Sequence, residues 1–247
     1  MKKWKICLIN LERSTDRLAA CASQLDSYGL PFDRIEAVNG DTLDVSTINE
    51  LYNFGDSSYH KHMTRGELGC YLSHVRAWQA IVDEQLDYAV ILEDDILLQD
   101  DIQQGLEAIT YIQQPWDVIK LAEAPAKRKA VHQIPASDFS LITYNKVPSR
   151  TCAQAVSLSG ARKLLGTSIK INRPIDIELQ YWWESELSVF GLKPYVVKAN
   201  HDEISEIDRN LNRKKAKQSF FKKIVSGFYF LFKNKKELKK RLHKLNN

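Results

Sequence analysis

Short apolar segments alternate with segments of helical periodicity along the first 200 residues, and this alternation restricts the possible folds most strongly. The clearest helical pattern covers residues 67–86, where apolar side chains recur every three or four positions. It is followed by YAVIL (88–92), which has the length and composition of a buried strand. Alternating elements of this kind are typical of a parallel sheet with helices on both faces. The sequence therefore predicts an α/β fold with a mostly parallel central sheet.

The other strands and helices follow from the same periodicities. Ligands of such sheets bind beyond the carboxyl ends of the strands, so residues that directly follow the strands are the candidates for function. Strands are predicted at 4–9, 32–38, 117–122, 139–144, 152–158 and 192–198, helices at 14–28, 100–113, 159–166 and 175–190, a long polar loop at 40–64 and a basic loop at 126–132.

The charge distribution divides the chain into two parts. Residues 213–247 hold 13 Lys or Arg and one acidic residue, a net charge of +12, which leaves −8 for residues 1–212 out of the total of +4. A block of like charges at one end is typical of an interaction segment. We expect a single globular domain over 1–212 and a basic tail over 213–247. The acidic body argues against nucleic acid as the main partner.

Cysteine usage indicates a reducing compartment, and hydropathy predicts neither a signal peptide nor a membrane span. Cys7, Cys21, Cys70 and Cys152 are scattered and form no CxxC pair, which favours reduced thiols in a cytosolic protein. The apolar run ICLI near the start is too short for a signal peptide, and no apolar stretch approaches the 18 residues of a membrane span.

Three carboxylates, Glu93, Asp94 and Asp95, directly follow the strand at 88–92. Neighbouring carboxylates repel one another and are costly to desolvate, so either they lie in water or a cation lies among them. Residues two apart on an extended segment share a face, which makes Glu93 and Asp95 the pair expected to share a ligand. Carboxylate oxygens suit Mg²⁺ or Mn²⁺, ions that can stabilise a diphosphate leaving group. Haloacid-type phosphatases and receiver domains also have acids at strand ends, so these residues alone leave the ligand open.

Three motifs relate the chain to a known family. INLERSTDR (9–17), RGELGCYLSH (65–74) and VILEDDILL (90–98) occur in the order and spacing of glycosyltransferase family 25, which contains bacterial lipopolysaccharide and animal procollagen galactosyltransferases. The resemblance spans most of the first 214 residues, and the short, tail-bearing form is similar to the lipopolysaccharide branch. It implies a GT-A-like, Rossmann-type fold, a nucleotide-sugar donor, a divalent cation and inversion at the anomeric carbon. Further matching stretches are AVSLSGARKLL (155–165), RPIDIEL (173–179) and DRNLNRK (208–214).

The resemblance also implies donor-binding and metal-binding residues within these motifs. Glu93 and Asp95 correspond to the DxD-type element, with Asp95 as the direct metal ligand; the longer Glu93 leaves open whether it contacts ribose or metal. The alternative for Arg17 is a solvated helix face, and the alternative for His74 is a structural helix residue. The implied donor-binding residues are Asn10, Leu11, Arg13, Arg17, Arg65, Ser73, His74, Glu93 and Asp94.

Inverting transfer also needs a carboxylate that accepts the proton of the acceptor hydroxyl. Asp176, in the matched RPIDIEL stretch, is the first candidate for this base, and Glu178 is the second. An acid in the first turn of a helix is also favoured by the helix dipole alone. His201 follows the last predicted strand and is the candidate for a third metal ligand, because GT-A enzymes often complete the metal shell from a late loop.

The basic tail has the pattern of a helix that lies in a membrane interface. Its apolar residues can form one helical stripe, with Lys and Arg around it. We expect it to bind the anionic inner face of a bacterial inner membrane; the alternative is that the aromatic residues pack on the domain. The stripe is Phe220, Phe221, Ile224, Phe228, Leu231 and Phe232.

Together these features predict an inverting glycosyltransferase that moves a hexose from a UDP-sugar to a lipooligosaccharide or lipopolysaccharide core with Mn²⁺ or Mg²⁺. Galactose is the first candidate for the hexose. The alternative enzyme is a Mg²⁺-dependent phosphoryl-transfer enzyme or phosphatase that uses the same acids. A non-enzymatic alternative is a binding module that acts through its basic tail. The absence of GxxxxGK[ST] and GxGxxG sequences argues against nucleoside triphosphatases and dinucleotide enzymes.

Overall fold

A computed structural model describes residues 2–52, 59–122, 128–200 and 220–245 of the chain. Short 3₁₀ helices lie at Gly40–Thr42 and Leu179–Tyr181. The strands are β1 (Trp4–Asn10), β2 (Phe32–Glu36), β3 (Tyr88–Glu93), β4 (Ile96–Leu98), β5 (Val118–Lys120), β6 (Ala130–Ala136), β7 (Phe139–Tyr144), β8 (Ala153–Ser157), β9 (Val189–Lys193) and β10 (Val197–Ala199). The helices are α1 (Thr15–Ser27), α2 (Val45–Leu51), α3 (Arg65–Asp83), α4 (Ile102–Tyr111), α5 (Leu158–Thr167), α6 (Ile175–Glu178) and α7 (Phe220–Leu245).

The central sheet has eight strands in the order β2-β1-β3-β8-β5-β9-β7-β6. β8 runs antiparallel to both of its neighbours, and β7 also runs against the majority, so the remaining six strands share one direction. A second, two-stranded sheet pairs β4 with β10. The predicted α/β class with a mostly parallel central sheet is confirmed.

Helices cover both faces of the sheet and enclose two hydrophobic cores. On one face, α1 and α4 pack through residues such as Leu25 and Leu106. On the other face, α3 and α5 pack through residues such as Trp78 and Leu164. Both faces of the sheet are covered, so side chains on both sides of β3 are buried. This explains why its sequence contains the continuous apolar run YAVIL and does not alternate between apolar and polar residues.

The prediction that residues 40–64 form one long loop is wrong in part, because this range contains helical segments. It contains the 3₁₀ turn and helix α2, whose N-cap Asp44 accepts a hydrogen bond from the Thr47 backbone N–H. The next helix, α3, begins two residues before the predicted start. Its N-cap Thr64 and Glu67 form a capping box, in which each side chain accepts from the other's backbone N–H.

Three other predicted elements differ from the structure. The helix at 175–190 is helical only through α6 and the 3₁₀ turn to Tyr181, and turns follow. The strand at 192–198 is divided into the end of β9 and β10, with Pro194 between them. Part of the basic loop at 126–132 belongs to edge strand β6, while residues 123–127 lie outside the described residues.

Helix α7 packs on the domain along one face. Phe230 lies against Tyr181 and Trp183 at ring-centroid distances of 5.0 and 5.4 Å. Asn234 donates to the Asn145 carbonyl at 2.8 Å and accepts from the Trp182 indole at 3.4 Å. Within the described residues, no helix combines the length and the apolar composition needed to cross a bilayer.

Candidate active site

The carboxyl ends of β1 and β3 lie side by side at one edge of the sheet. In the parallel register Ile9 is opposite Glu93, so the residues that follow these two positions meet beyond the strands. Asn10 donates from Nδ2 to Asp94 Oδ2 at 2.7 Å. The first and third motifs of the sequence are therefore brought together by strand pairing alone.

An open cavity of about 780 Å³, open solvent included, lies at this edge. Its walls come from the β1–α1 turn, the loop after β2, the start of α3 and the end of β3. The lining residues predicted from the sequence are Asn10, Leu11, Arg13, Arg17, Ser73, His74, Glu93, Asp94 and Asp95.

Glu93 is held by contacts with His74 and Thr151. Its Oε1 accepts from the Thr151 hydroxyl at 2.6 Å and lies 3.0 Å from Nε2 of His74, which is fully buried. Burial alone would raise the pKa of Glu93, but the contacts with His74 and Thr151 give a net lowering. The Glu93 carboxylate is therefore fixed in orientation and favoured in its charged form.

Asp94 and Asp95 share the guanidinium of Arg17. The distances are 3.2 Å from Arg17 Nη1 to Asp94 Oδ1 and 3.8 Å from Nη2 to Asp95 Oδ2. Burial, followed by repulsion from Glu93, raises the pKa of Asp95 to about 7, although Arg17 acts in the opposite direction. The side chain of Arg17 is only 15% exposed, so it does not lie on a solvated helix face.

The residues present fit a divalent cation. The Oδ1 atom of Asp95 is buried and has no hydrogen-bond partner among the described residues, although an anionic oxygen in such a place requires a positive or donating neighbour. Cys70, His74 and Glu93 also have potential ligand atoms within 4.8 Å of one another. The site thus offers carboxylate oxygens together with softer ligands, and Asp95 is the group with an unsatisfied oxygen.

The motif RGELGCYLSH places its residues by close packing of α3 on the loop after β2. A Cβ on Gly69 would lie 2.5 Å from the Val38 carbonyl oxygen, so only glycine allows the helix to approach this closely. The Ser73 hydroxyl accepts from the Val38 N–H at 2.8 Å and donates to the Gly69 carbonyl. Ser73 lines the cavity, but its described hydrogen bonds hold the loop that forms the cavity wall.

Arg65, a predicted donor-binding residue, does not line the cavity. It donates to the backbone carbonyls of Gly40, Asp41 and Leu43 and thereby stabilises the loop after β2. His201, the predicted third metal ligand, lies outside the described residues.

The two candidate bases differ in their surroundings. Asp176 is half-buried in the first turn of α6, and its negative charge acts on both Cys70 and Lys120, which flank the carboxylate cluster. Glu178 is paired with Arg173 at 2.8 Å, and burial raises its pKa against the opposing effect of Arg173. Of the two, Glu178 is the one held in an almost buried ion pair.

Sequence reasoning missed the residues that approach from β5 and β8. Thr151 and Lys120 come from segments that show no motif around these positions, and both are almost fully buried. Cys70 lies within a recognised motif, yet a single cysteine on a helix gives no signal of a ligand. The antiparallel pairing of β8 with β3 is what brings Thr151 to Glu93, and hydropathy does not specify strand order.

The fold and this site define a GT-A-like α/β protein with an acidic, cation-compatible cavity at the switch from β1 to β3. The sequence profile described as "Glycosyltransferase family 25 (LPS biosynthesis protein)" matches residues 3–179. The chain belongs to glycosyltransferase family 25.

Curated relatives are similar over most of this chain. "Inactive glycosyltransferase 25 family member 3" of Mus musculus is 28% identical over 223 residues, which cover 80% of this chain and 37% of that protein. "Procollagen galactosyltransferase 2" of Homo sapiens is 26% identical over 227 residues, 80% of this chain and 35% of that protein. The chain thus spans about a third of the length of these relatives.

A comparison with solved structures matched the chain to a glycosyltransferase involved in the glycosylation of the major capsid of PBCV-1. It is 8% identical with a TM-score of 0.46, over 85% of this chain and all of that one. A Drosophila β-1,4-galactosyltransferase 7 mutant in complex with manganese, UDP-Gal and xylobiose is 11% identical with a TM-score of 0.37, over 88% of this chain and 75% of that one.

Proposed function

We propose that the chain is an inverting glycosyltransferase that transfers a hexose from a UDP-sugar to a lipooligosaccharide or lipopolysaccharide core. Galactose is the first candidate for the hexose. The observation that supports this best is the cavity in which Arg17, Glu93 and Asp95 meet beside an unsatisfied carboxylate oxygen. Family membership supplies the reaction class, and the description of the family profile refers to lipopolysaccharide biosynthesis.

Each part of the site has a role in this reaction. Asp95 and Glu93 would hold Mn²⁺ or Mg²⁺, an ion that supplies charge stabilisation to the leaving diphosphate. Asn10 and Arg17, with the loop after β2, form the wall for the nucleotide. Asp176 takes the proton of the acceptor hydroxyl, and its half-buried position in the first turn of α6 is compatible with this role.

The test is a donor screen with truncated lipooligosaccharide acceptors, UDP-sugars and Mn²⁺, read by mass spectrometry. We expect one acceptor to gain the mass of one hexose from UDP-galactose, and no gain when EDTA is present. Cleavage of para-nitrophenyl phosphate without sugar transfer to any acceptor would instead support the phosphoryl-transfer alternative. A chain that performs neither reaction would contradict the assignment.

We also propose that helix α7 attaches the enzyme to the anionic inner face of the bacterial inner membrane, where a lipid-linked acceptor would be presented. The face opposite the docked residues exposes a continuous apolar surface. Phe228, Leu231 and Phe232 are 71%, 63% and 68% exposed. Lys233, Lys235 and Lys236 follow directly, and each cation near an anionic leaflet contributes about 1 kcal/mol. Aromatic residues beside cations favour an interfacial helix.

The membrane proposal predicts salt-sensitive sedimentation with anionic vesicles. The full chain should pellet with phosphatidylglycerol-containing vesicles at low salt and be released at high salt, because screening weakens surface attraction. The F228S/F232S variant should stay in the supernatant, whereas Tyr111→Ser, at an equally exposed aromatic residue on α4, should pellet normally. Point variants are preferable to removing α7, since its loss would uncover Trp182. A full chain that ignores anionic vesicles at low salt would contradict membrane attachment.

A further inference from the structure

A network of side chains runs from the edge of the sheet into the cavity through Arg34, Asn10, Asp94 and Arg17. Its outer end is Arg34, an exposed residue on the edge strand β2. Arg34 Nε donates to Asn10 Oδ1 at 3.1 Å, and Arg34 Nη2 lies 3.5 Å from the Asn10 carbonyl oxygen. Asn10 lines the cavity, whereas Arg34 does not. Their contact therefore links a surface residue to the wall of the site.

Asn10 is the buried junction of this network. Its Nδ2 donates to Asp94 Oδ2 at 2.7 Å and to the Ser14 carbonyl at 3.0 Å, while its Oδ1 accepts from Arg34. Only one orientation of the amide satisfies these contacts. The reverse orientation would place its oxygen against the two acceptors and its N–H groups against the guanidinium. Arg34 thus fixes the direction in which Asn10 donates.

Asp94 connects Asn10 to Arg17. Asp94 Oδ2 accepts from Asn10, and Asp94 Oδ1 lies 3.2 Å from Arg17 Nη1, so each carboxylate oxygen has its own partner. The contact between Arg17 and Asp95 is longer, at 3.8 Å. Asp94 is therefore the nearer anchor of the Arg17 guanidinium. Both Asp94 and Arg17 line the cavity, so this ion pair lies in its wall.

The place of Arg17 in helix α1 is unfavourable for a cation. Arg17 lies in the first turn of α1, where the helix dipole favours negative charge. The same Asn10 amide that holds Asp94 also donates to Ser14, the N-cap of this helix, and so fixes where the first turn begins. A cation kept in this position by a carboxylate in a cavity wall favours a role for Arg17 in binding an anion over a role in helix stability.

We propose that Arg34 is a positioning residue of the donor site, which acts through Asn10 and Asp94 to hold the Arg17 guanidinium against the diphosphate of the sugar donor. The inference rests on the proposed function and adds to it a residue that lies outside the cavity. It makes Asp94 the anchor of Arg17 instead of a ligand of the donor. A guanidinium presents parallel N–H donors that match two phosphate oxygens only in the correct orientation, so the anchoring of Arg17 affects donor affinity.

Arg34→Ala tests the positioning role. Its affinity for UDP with Mn²⁺, measured by titration calorimetry, should fall about threefold to tenfold, the size expected for the loss of one hydrogen bond. Its unfolding midpoint should stay close to that of the wild type, because Arg34 is exposed. Arg34→Lys keeps a donor for Asn10 and should restore part of the UDP affinity. The matched control is Arg76→Ala, which should bind UDP normally. Arg76 is also exposed and donates to the Glu36 carbonyl at the end of β2, at 2.8 Å.

A double variant shows whether Arg34 acts through Arg17. Arg17→Met should lower UDP affinity by a larger factor than Arg34→Ala, and the R17M/R34A variant should bind UDP no more weakly than R17M alone. Additive losses, or an Arg34→Ala variant that binds UDP like the wild type, would overturn the positioning role. Normal UDP binding by Arg17→Met, in an enzyme that transfers sugar, would overturn this inference alone. A wild type that neither binds UDP nor transfers sugar would overturn the proposed function as well, which distinguishes the two failures.

Discussion

Replacing Asp95 by asparagine is expected to lower the rate of sugar transfer a hundredfold or more, about 3 kcal/mol of transition-state stabilisation. Asparagine keeps the shape of the side chain and removes its charge. In the native chain Asp95 has a buried oxygen that no described group satisfies, beside Glu93 and Asp94. Such an oxygen can bind a cation strongly, and an amide in its place binds one weakly. The measurement is the initial rate of transfer from the active UDP-sugar at saturating Mn²⁺.

Two further readouts separate a metal role from a folding role. Mn²⁺ affinity, followed by electron paramagnetic resonance of the unbound ion, should fall in Asp95→Asn, while the unfolding midpoint should be unchanged or higher because a repelled buried charge is removed. Asp138→Asn, an exposed acid in the β6–β7 turn, is the control and should alter neither quantity. An Asp95→Asn enzyme with near-normal turnover would exclude Asp95 as a metal ligand.

The features of the fold that the sequence predicted are those that depend on local periodicity. β3 and the body of α3 were identified because apolar residues form an unbroken run in one and a regular stripe in the other. The rule that ligands bind beyond the carboxyl ends of the strands predicted a site at Glu93, Asp94 and Asp95, and in the structure Asn10 at the end of β1 donates to Asp94. The helix predicted at 175–190 ends at Tyr181 in the structure, and Trp182 and Trp183 lie in the turns that follow, in contact with α7.

The rest of the site depends on tertiary pairing that no local pattern specifies. Lys120 would ordinarily be placed on a surface, since lysine is seldom fully buried. Its burial follows from the position of β5 beside β8, where it lies opposite Gln154. The alternative base Glu178 could be distinguished from Asp176 only once its ion pair with Arg173 was visible.

Replacing Asp176 by asparagine is expected to lower turnover by two to four orders of magnitude while UDP-sugar affinity stays close to that of the wild type. General base catalysis typically contributes a factor of about 10² to 10⁴, and the amide cannot accept the proton of the acceptor hydroxyl. The donor does not need this proton transfer to bind, so the loss should appear in kcat and not in donor affinity. Single-turnover transfer and calorimetric binding of the UDP-sugar measure the two quantities separately.

Glu178→Gln is the matched comparison, because it neutralises the other acid of the same short helix. Glu178 lies in an almost buried pair with Arg173, so its change should lower the free energy of unfolding by about 1–3 kcal/mol and leave turnover of the folded enzyme nearly intact. The two variants should therefore differ. Asp176→Asn should lose turnover and keep its stability, whereas Glu178→Gln should lose stability and keep its turnover. A collapse of donor binding in Asp176→Asn would make Asp176 a donor ligand or a structural acid of α6. A loss of turnover in Glu178→Gln instead would transfer the role of base to Glu178.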